Sequence, residues 1–194
     1  MKHTSRIDRA IQISARLHKD QVRKDKHKTP YSSHPFAVMF IASKYTKDED
    51  TLVAALLHDV LEDVELPYEE KENLIRDEFG ENVLQIVRGV THESDPLKKV
   101  RGIEEWKRTR LKYVENLKTA PEGSLYVAAA DKIHNLMATQ AVLDDEGESF
   151  WSKMTNPPEG RDWFYREVYS VLKTRLQSEI VEDLAEWINK VFPA

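Results

Sequence analysis

The stretch Leu52 to Val64, LVAALLHDVLEDV, holds the densest set of side chains able to do chemistry. An unbroken apolar run, Leu52 to Leu57, leads into His58 and Asp59, and Glu62 and Asp63 follow one turn later. On a helix turning about 100° per residue, those four polar side chains share an arc of roughly 140°. Leu56, Leu57, Val60, Leu61 and Val64 take the other side. A helix that is apolar all round in its first half is buried, so the polar half is expected to face a cleft. Carboxylates at that density repel one another unless a positive charge sits among them. A divalent metal supplies it most simply, because imidazole and carboxylate are its ordinary ligands.

The same pattern returns in LYVAAADKIHNLMATQAVL, where Leu125 to Ala130 are apolar and Asp131 follows, with Asn135 one turn on and on the same side. An ionised Asp in that position needs a cation. Lys132 is expected to pair with it only poorly, since sequence neighbours on a helix point about 100° apart. His134 is expected on a different side, packed or exposed. A third candidate is His34, placed at or beside the start of a helix by Pro35. Together His34, His58, Asp59 and Asp131 offer two imidazoles and two carboxylates. A metal that prefers five or six ligands, such as Mn²⁺ or Fe²⁺, would keep positions for water and a substrate oxygen. Glu62 and Asp63, one turn beyond, are placed to take a proton from that water or give one to a leaving group.

The elements that must position these residues read as helices throughout. A first helix is expected from Thr4 to about Arg23, ending in a basic stretch that includes Lys24, Lys26 and Lys28. A second follows Pro35, and a third, the central one, is capped by Asp48 or Asp50. Pro67 to Phe79 and Glu81 to Val90 are further helices divided by Gly80. His92 to Gly102 reads as a loop, with His92 exposed and without a role. Ile103 to Thr119 is a long amphipathic helix whose basic face (Lys107, Arg108, Arg110, Lys112) is mostly solvated. Ser124 opens the Asp131 helix, 144–160 is the most loop-like stretch, and helices from about Arg161 to Gln177 and Ser178 to Phe192 close the chain. The fold class is therefore all-α, a single-domain helical bundle over 1–194, with the motifs in about 5–140.

The formal charge of −5 argues against broad phosphate neutralisation on nucleic acid, although a local basic pocket can still take a small anion. With no cysteine, the fold cannot rest on disulfides and any metal must be held by His, Asp or Glu. No apolar stretch approaches the roughly 18–20 residues of a membrane span, and the N-terminus lacks a signal-peptide core. The expected setting is cytoplasmic, without membrane or nucleic-acid partners. The sequence sets no oligomeric state.

His34-Pro35, His58-Asp59 with Glu62-Asp63, and Asp131-Lys132 with Asn135 resemble the HD-superfamily metal phosphohydrolases. More closely, TPYSSHP, AALLHDVLEDV, FGENVLQIVRGVT and AADKIHNL are similar to the hydrolase domain of RelA/SpoT-type guanosine polyphosphate enzymes and their small stand-alone relatives. The resemblance covers about residues 5–140. It implies a single Mn²⁺ (or another divalent transition metal) on His34, His58, Asp59 and Asp131. It further implies Glu62 and Asp63 serving the attacking water, Arg23, Lys24 and Asn135 against the nucleotide, and loss of the 3′-pyrophosphate from ppGpp or pppGpp. Longer family members continue after the asparagine with an arginine and a threonine, where this chain has Met137 and Ala138. The alternatives are a phosphohydrolase for another nucleotide or phosphorylated cofactor, and a non-catalytic nucleotide-binding HD module.

Overall fold

A computed structural model describes residues 2–23, 25–92, 103–153 and 158–193. Among them no β-strand occurs, and the one extended pairing is an isolated bridge between Val22 and Pro30. The helices are α1 (Ser5–Leu17), α2 (Ser33–Ala42), α3 (Glu49–Leu57), α4 (Val60–Asp63), α5 (Tyr68–Phe79), α6 (Glu81–Val90), α7 (Ile103–Leu117), α8 (Glu122–Glu146), α9 (Pro158–Arg175) and α10 (Glu179–Val191), with a 3-10 segment over Gly147–Lys153 before α9.

The buried apolar run of α3 lies at the centre, packed on α1, α2, α6 and α8. All of Leu52 to Leu57 are shut off from solvent, as are Leu125 and Val127 to Ala130 of α8. Small residues let these backbones approach closely. A methyl group at Gly89 of α6 would meet the Ser124 hydroxyl at 2.3 Å, and one at Gly123 would meet the Thr51 hydroxyl at 2.6 Å. The Ser124 hydroxyl meanwhile donates to the Ile86 carbonyl at 2.8 Å, so its buried oxygen is not left unpaired. The α8 helix also packs on α2 and α10, which places Asp131 opposite α2.

Capping accounts for several boundaries. Asp48 accepts from the Thr51 N–H at 2.9 Å, starting α3. Gly80, with φ 91, separates α5 from α6. In α2 the helix begins at Ser33, so His34 lies within the first turn and not at the cap. Pro35 fits there because an N–H in the first turn has no helical partner.

Two boundaries differ from expectation in ways that matter for the site. The central helix is not continuous: it stops at Leu57, turns through His58 and Asp59, and resumes as the short α4. Its C-terminal end is held from α5, where the buried Lys71 ammonium donates to the carbonyls of Leu61 at 2.6 Å and Val64 at 3.2 Å. The first helix ends at Leu17, not near Arg23. The chain beyond it folds back, with Arg23 N–H donating to Thr29 O and Tyr31 N–H to Gln21 O. Asp25 braces that turn by accepting from the N–H groups of His27 and Thr29. Backbone groups satisfied across this loop have no call to continue a helix, and the fold-back sets Tyr31 beside Arg23. The Asp131 helix is longer than its sequence pattern suggests, starting at Glu122 and running into the expected loop as far as Glu146.

Candidate active site

His58 is buried in the turn between α3 and α4, and its Nδ1 lies 2.8 Å from the carbonyl oxygen of Ala55. A carbonyl only accepts, so Nδ1 carries a proton, and in the neutral ring Nε2 presents the lone pair. That Nε2 is buried without a hydrogen-bond partner. It lies 3.1 Å from Asp59 Oδ1 and 3.8 Å from Asp131 Oδ1. His34, also buried, brings its Nε2 to 3.4 Å from Asp59 Oδ2 and 3.2 Å from Asp131 Oδ1. Ligand atoms of His34, His58 and Asp59 all lie within 4.8 Å of one another, and Asp131 adjoins them through Oδ1. Three elements thus converge on one point: the start of α2, the α3–α4 turn, and the middle of α8.

The electrostatics fit a cation. Burial pushes the His58 imidazole down, but Asp59 and Asp131 outweigh it and its pKa is raised. Burial likewise pushes the Asp131 carboxyl up, yet Lys132 and the two histidines hold it well below the usual carboxylate range. Two imidazoles and two carboxylates around an orphaned buried nitrogen suit a divalent metal.

Glu62 and Asp63 stand beside this cluster on α4. The half-buried Glu62 accepts the backbone N–H of His92 at 2.7 Å. Burial pushes its carboxyl up to about 7 against the pull of that hydrogen bond. Asp63 is more open, and Tyr31 places its hydroxyl 2.7 Å from both Asp63 Oδ2 and Asp59 Oδ2. Enclosure and the nearby Asp59 raise the Asp63 pKa. A hydroxyl has one proton, so it can donate to only one of the two carboxylates at a time.

On the rim, Asn135 donates to Asp131 Oδ1 at 2.6 Å, and its oxygen lies 3.3 Å from the Arg23 guanidinium. That guanidinium also sits 5.9 Å from the centre of the Tyr31 ring. Lys24, the other expected nucleotide contact, lies outside the described residues.

A family model described as an HD domain matches residues 10–157. The chain is a member of the HD-domain family. It is 36% identical over 132 residues to a guanosine-3′,5′-bis(diphosphate) 3′-pyrophosphohydrolase of Drosophila melanogaster, covering 67% of each chain. It is 30% identical to the enzyme of that name from Aquifex aeolicus over 97% of this chain, which spans only 24% of that longer protein. A solved structure described as a metazoan orthologue of SpoT that hydrolyses ppGpp superposes with a TM-score of 0.73 at 28% identity, covering 100% of this chain and 99% of the other. No helix among the described residues is long and apolar enough to cross a membrane.

This HD domain thus brings together His34, His58, Asp59 and Asp131, and beside them Glu62, Asp63, Asn135 and Arg23. Three expectations fail. Lys132 does reach Asp131, at 2.6 Å from Oδ2. The two Cβ atoms diverge, but the flexible four-carbon stem curls back and the ammonium rests on the rings of Tyr113 and Phe164, 4.7 and 5.6 Å from their centres. His134 does not face away: a step of three residues returns to within about 60° on a helix, and its ring meets His34. His92 is no exposed loop residue, being stacked on Tyr113 at 4.2 Å and serving Glu62 through its N–H.

Several residues carry no signal in the sequence. Tyr31 reads only as part of a loop. Arg110, one of a basic row, lies partly buried over Trp106 and Phe164 with its Nε unpaired. Burial lowers the Arg110 pKa, with Glu62 opposing and Arg161 adding to the effect. The Arg161 Nε is unpaired as well.

Proposed function

We propose that the chain is a Mn²⁺-dependent hydrolase of guanosine 3′,5′-bis(diphosphate) and its pentaphosphate analogue, releasing pyrophosphate and leaving GDP or GTP. The observation that carries the reading is the convergence of His34, His58, Asp59 and Asp131 around the orphaned His58 Nε2, beside an acid held near neutrality. The likeness to named ppGpp hydrolases supports the substrate.

His34, His58, Asp59 and Asp131 would hold the cation, which when bound supplies Lewis acidity toward water and a phosphoryl oxygen. Glu62 accepts a proton from water, a task suited to a carboxyl whose pKa lies near the working pH. Asp63, hydrogen-bonded to Tyr31, is the second proton carrier. The water oxygen forms a bond to the phosphorus next to the ribose, the bond from that phosphorus to O3′ breaks, and the freed O3′ takes a proton. The two phosphates leave together as pyrophosphate. Arg23 and Lys24 hold the nucleotide's phosphates by charge, and Asn135 borders the same side.

The test is to load the protein with Mn²⁺, present a panel of nucleotides, and measure pyrophosphate against orthophosphate. Pyrophosphate from ppGpp is expected. Orthophosphate release, or cleavage of another nucleotide while ppGpp is ignored, would replace this substrate with another phosphorylated one. Attention would then turn to Met137, which is exposed, and Ala138, which offer no donors. Asp59→Asn is expected to lose metal and turnover together, and Glu62→Gln to keep the metal and lose turnover. Arg23→Ala should chiefly raise KM. No turnover on any nucleotide by the metal-loaded protein would leave a binding module.

A further inference from the structure

We infer that His134 is a positioning residue for the metal site: its Nδ1 accepts the Nδ1–H of His34 and so holds His34 in the tautomer whose Nε2 can bind a cation. The two Nδ1 atoms are 2.7 Å apart, and the rings lie 4.9 Å apart, centre to centre, at 33°. At that distance one nitrogen must carry the proton and the other must not.

The rest of the site decides which. His34 Nε2 points among Asp59 Oδ2 and Asp131 Oδ1 at 3.4 and 3.2 Å, where a cation would need its lone pair. His34 Nδ1 must then bear the hydrogen, and His134 must be the acceptor. His58 offers the parallel: its Nδ1–H goes to the Ala55 carbonyl and its Nε2 is free toward the same point. One ligand histidine is set by its own helix backbone. His34, in the first turn of α2, has its Nδ1 directed to α8 instead. His134 comes from the helix that also supplies Asp131, so a single helix provides one ligand and sets the ring of another. Fixing a ligand's ring and tautomer through its outer nitrogen typically alters metal affinity or activity by about 10–100-fold.

The inference rests on the metal reading above, and the experiment separates the two. Co²⁺ binding, followed by its visible absorption, is titrated in wild type, His134→Asn and His134→Leu. Asn places a carbonyl oxygen where Nδ1 stood, and Leu keeps bulk without an acceptor. Co²⁺ affinity is expected to fall about 10–100-fold in the Leu variant and to recover largely in the Asn variant. Equal affinity in wild type and His134→Leu, or equal loss in both variants, would overturn the role. Imidazole ¹⁵N NMR of the metal-free wild type gives a second measurement that needs no variant to fold. His34 protonated on Nδ1 and His134 on Nε2 is expected, and the reverse pair of tautomers sinks the inference. Should wild type bind no Co²⁺, the metal reading fails, while the tautomers still decide whether His134 accepts from His34.

Discussion

At Glu62 burial and hydrogen bonding oppose each other, and burial wins: the carboxyl titrates near 7 while accepting the His92 N–H at 2.7 Å. An ordinary Glu titrates near 4.3 in the unfolded chain. Between those values the native state keeps a proton that the unfolded state has released, so stability must fall as pH rises. The contribution is whole below the unfolded pKa and lost once pH passes the folded one. Urea titrations of the metal-free protein from pH 5 to 8 should show this decline, at most about 1.4 kcal/mol per pH unit for one proton. Glu62→Gln should have a shallower slope, and an unchanged slope would remove Glu62 as its source. Tyr31 is the other residue with a sharp consequence, since its hydroxyl touches a candidate ligand and a candidate proton carrier at once. Tyr31→Phe deletes that link with little change of shape, and turnover should drop about 10–100-fold. A rate within twofold of wild type would show that Asp59 and Asp63 need no such bridge.

At the scale of elements, α4 is the short piece that carries both Glu62 and Asp63, and a helix of one turn has little stability of its own. Lys71 from α5 compensates by donating to the carbonyls of Leu61 and Val64. Burial lowers the Lys71 pKa, with Asp63 and Glu62 opposing. Lys71→Met would keep the apolar stem and remove the ammonium from both carbonyls, Val64 keeping the Leu66 N–H at 3.0 Å. The expected cost is about 1–3 kcal/mol in denaturant unfolding, together with lower turnover as the carboxylates lose their frame. A loss under about 0.5 kcal/mol, within the range of an ordinary surface change, would mean that α4 is held by its apolar face alone.

Over the whole molecule, the buried apolar side chains from Ile7 in α1 to Val191 in α10 form one continuous cluster. The site is set into that cluster where α2, α3 and α8 meet, so filling it should stabilise the entire fold. A ligand that binds only the native state adds about 2.7 kcal/mol at a hundredfold excess over its Kd. For a chain of this size that corresponds to roughly 5–10 °C in Tm. Calorimetry with Mn²⁺ and then with a chelator should show that rise and its reversal. A Tm indifferent to both, with no metal found by elemental analysis, would remove the cation from the site.

The sequence by itself determined the helical class, the burial of Leu52 to Leu57 and of Leu125 and Val127 to Ala130, and the candidate ligands His34, His58, Asp59 and Asp131. These follow from local causes: periodicity reports which side of a helix meets apolar neighbours, and ionisable groups placed after such runs must find partners. What periodicity cannot report is distance between elements. His34 and His134 are a hundred positions apart in sequence, and their hydrogen bond exists because α2 packs on α8. The break at His58 and Asp59 was equally illegible, since helical propensity continues through the stretch while the observed turn depends on packing around it. Tyr31 reached the two carboxylates only through the fold-back after α1, and Lys132 found Asp131 through a flexible stem resting on two aromatic rings. Residue types set which chemistry was available; tertiary packing set which atoms came within 4 Å of one another, and hydrogen bonds act only within that range.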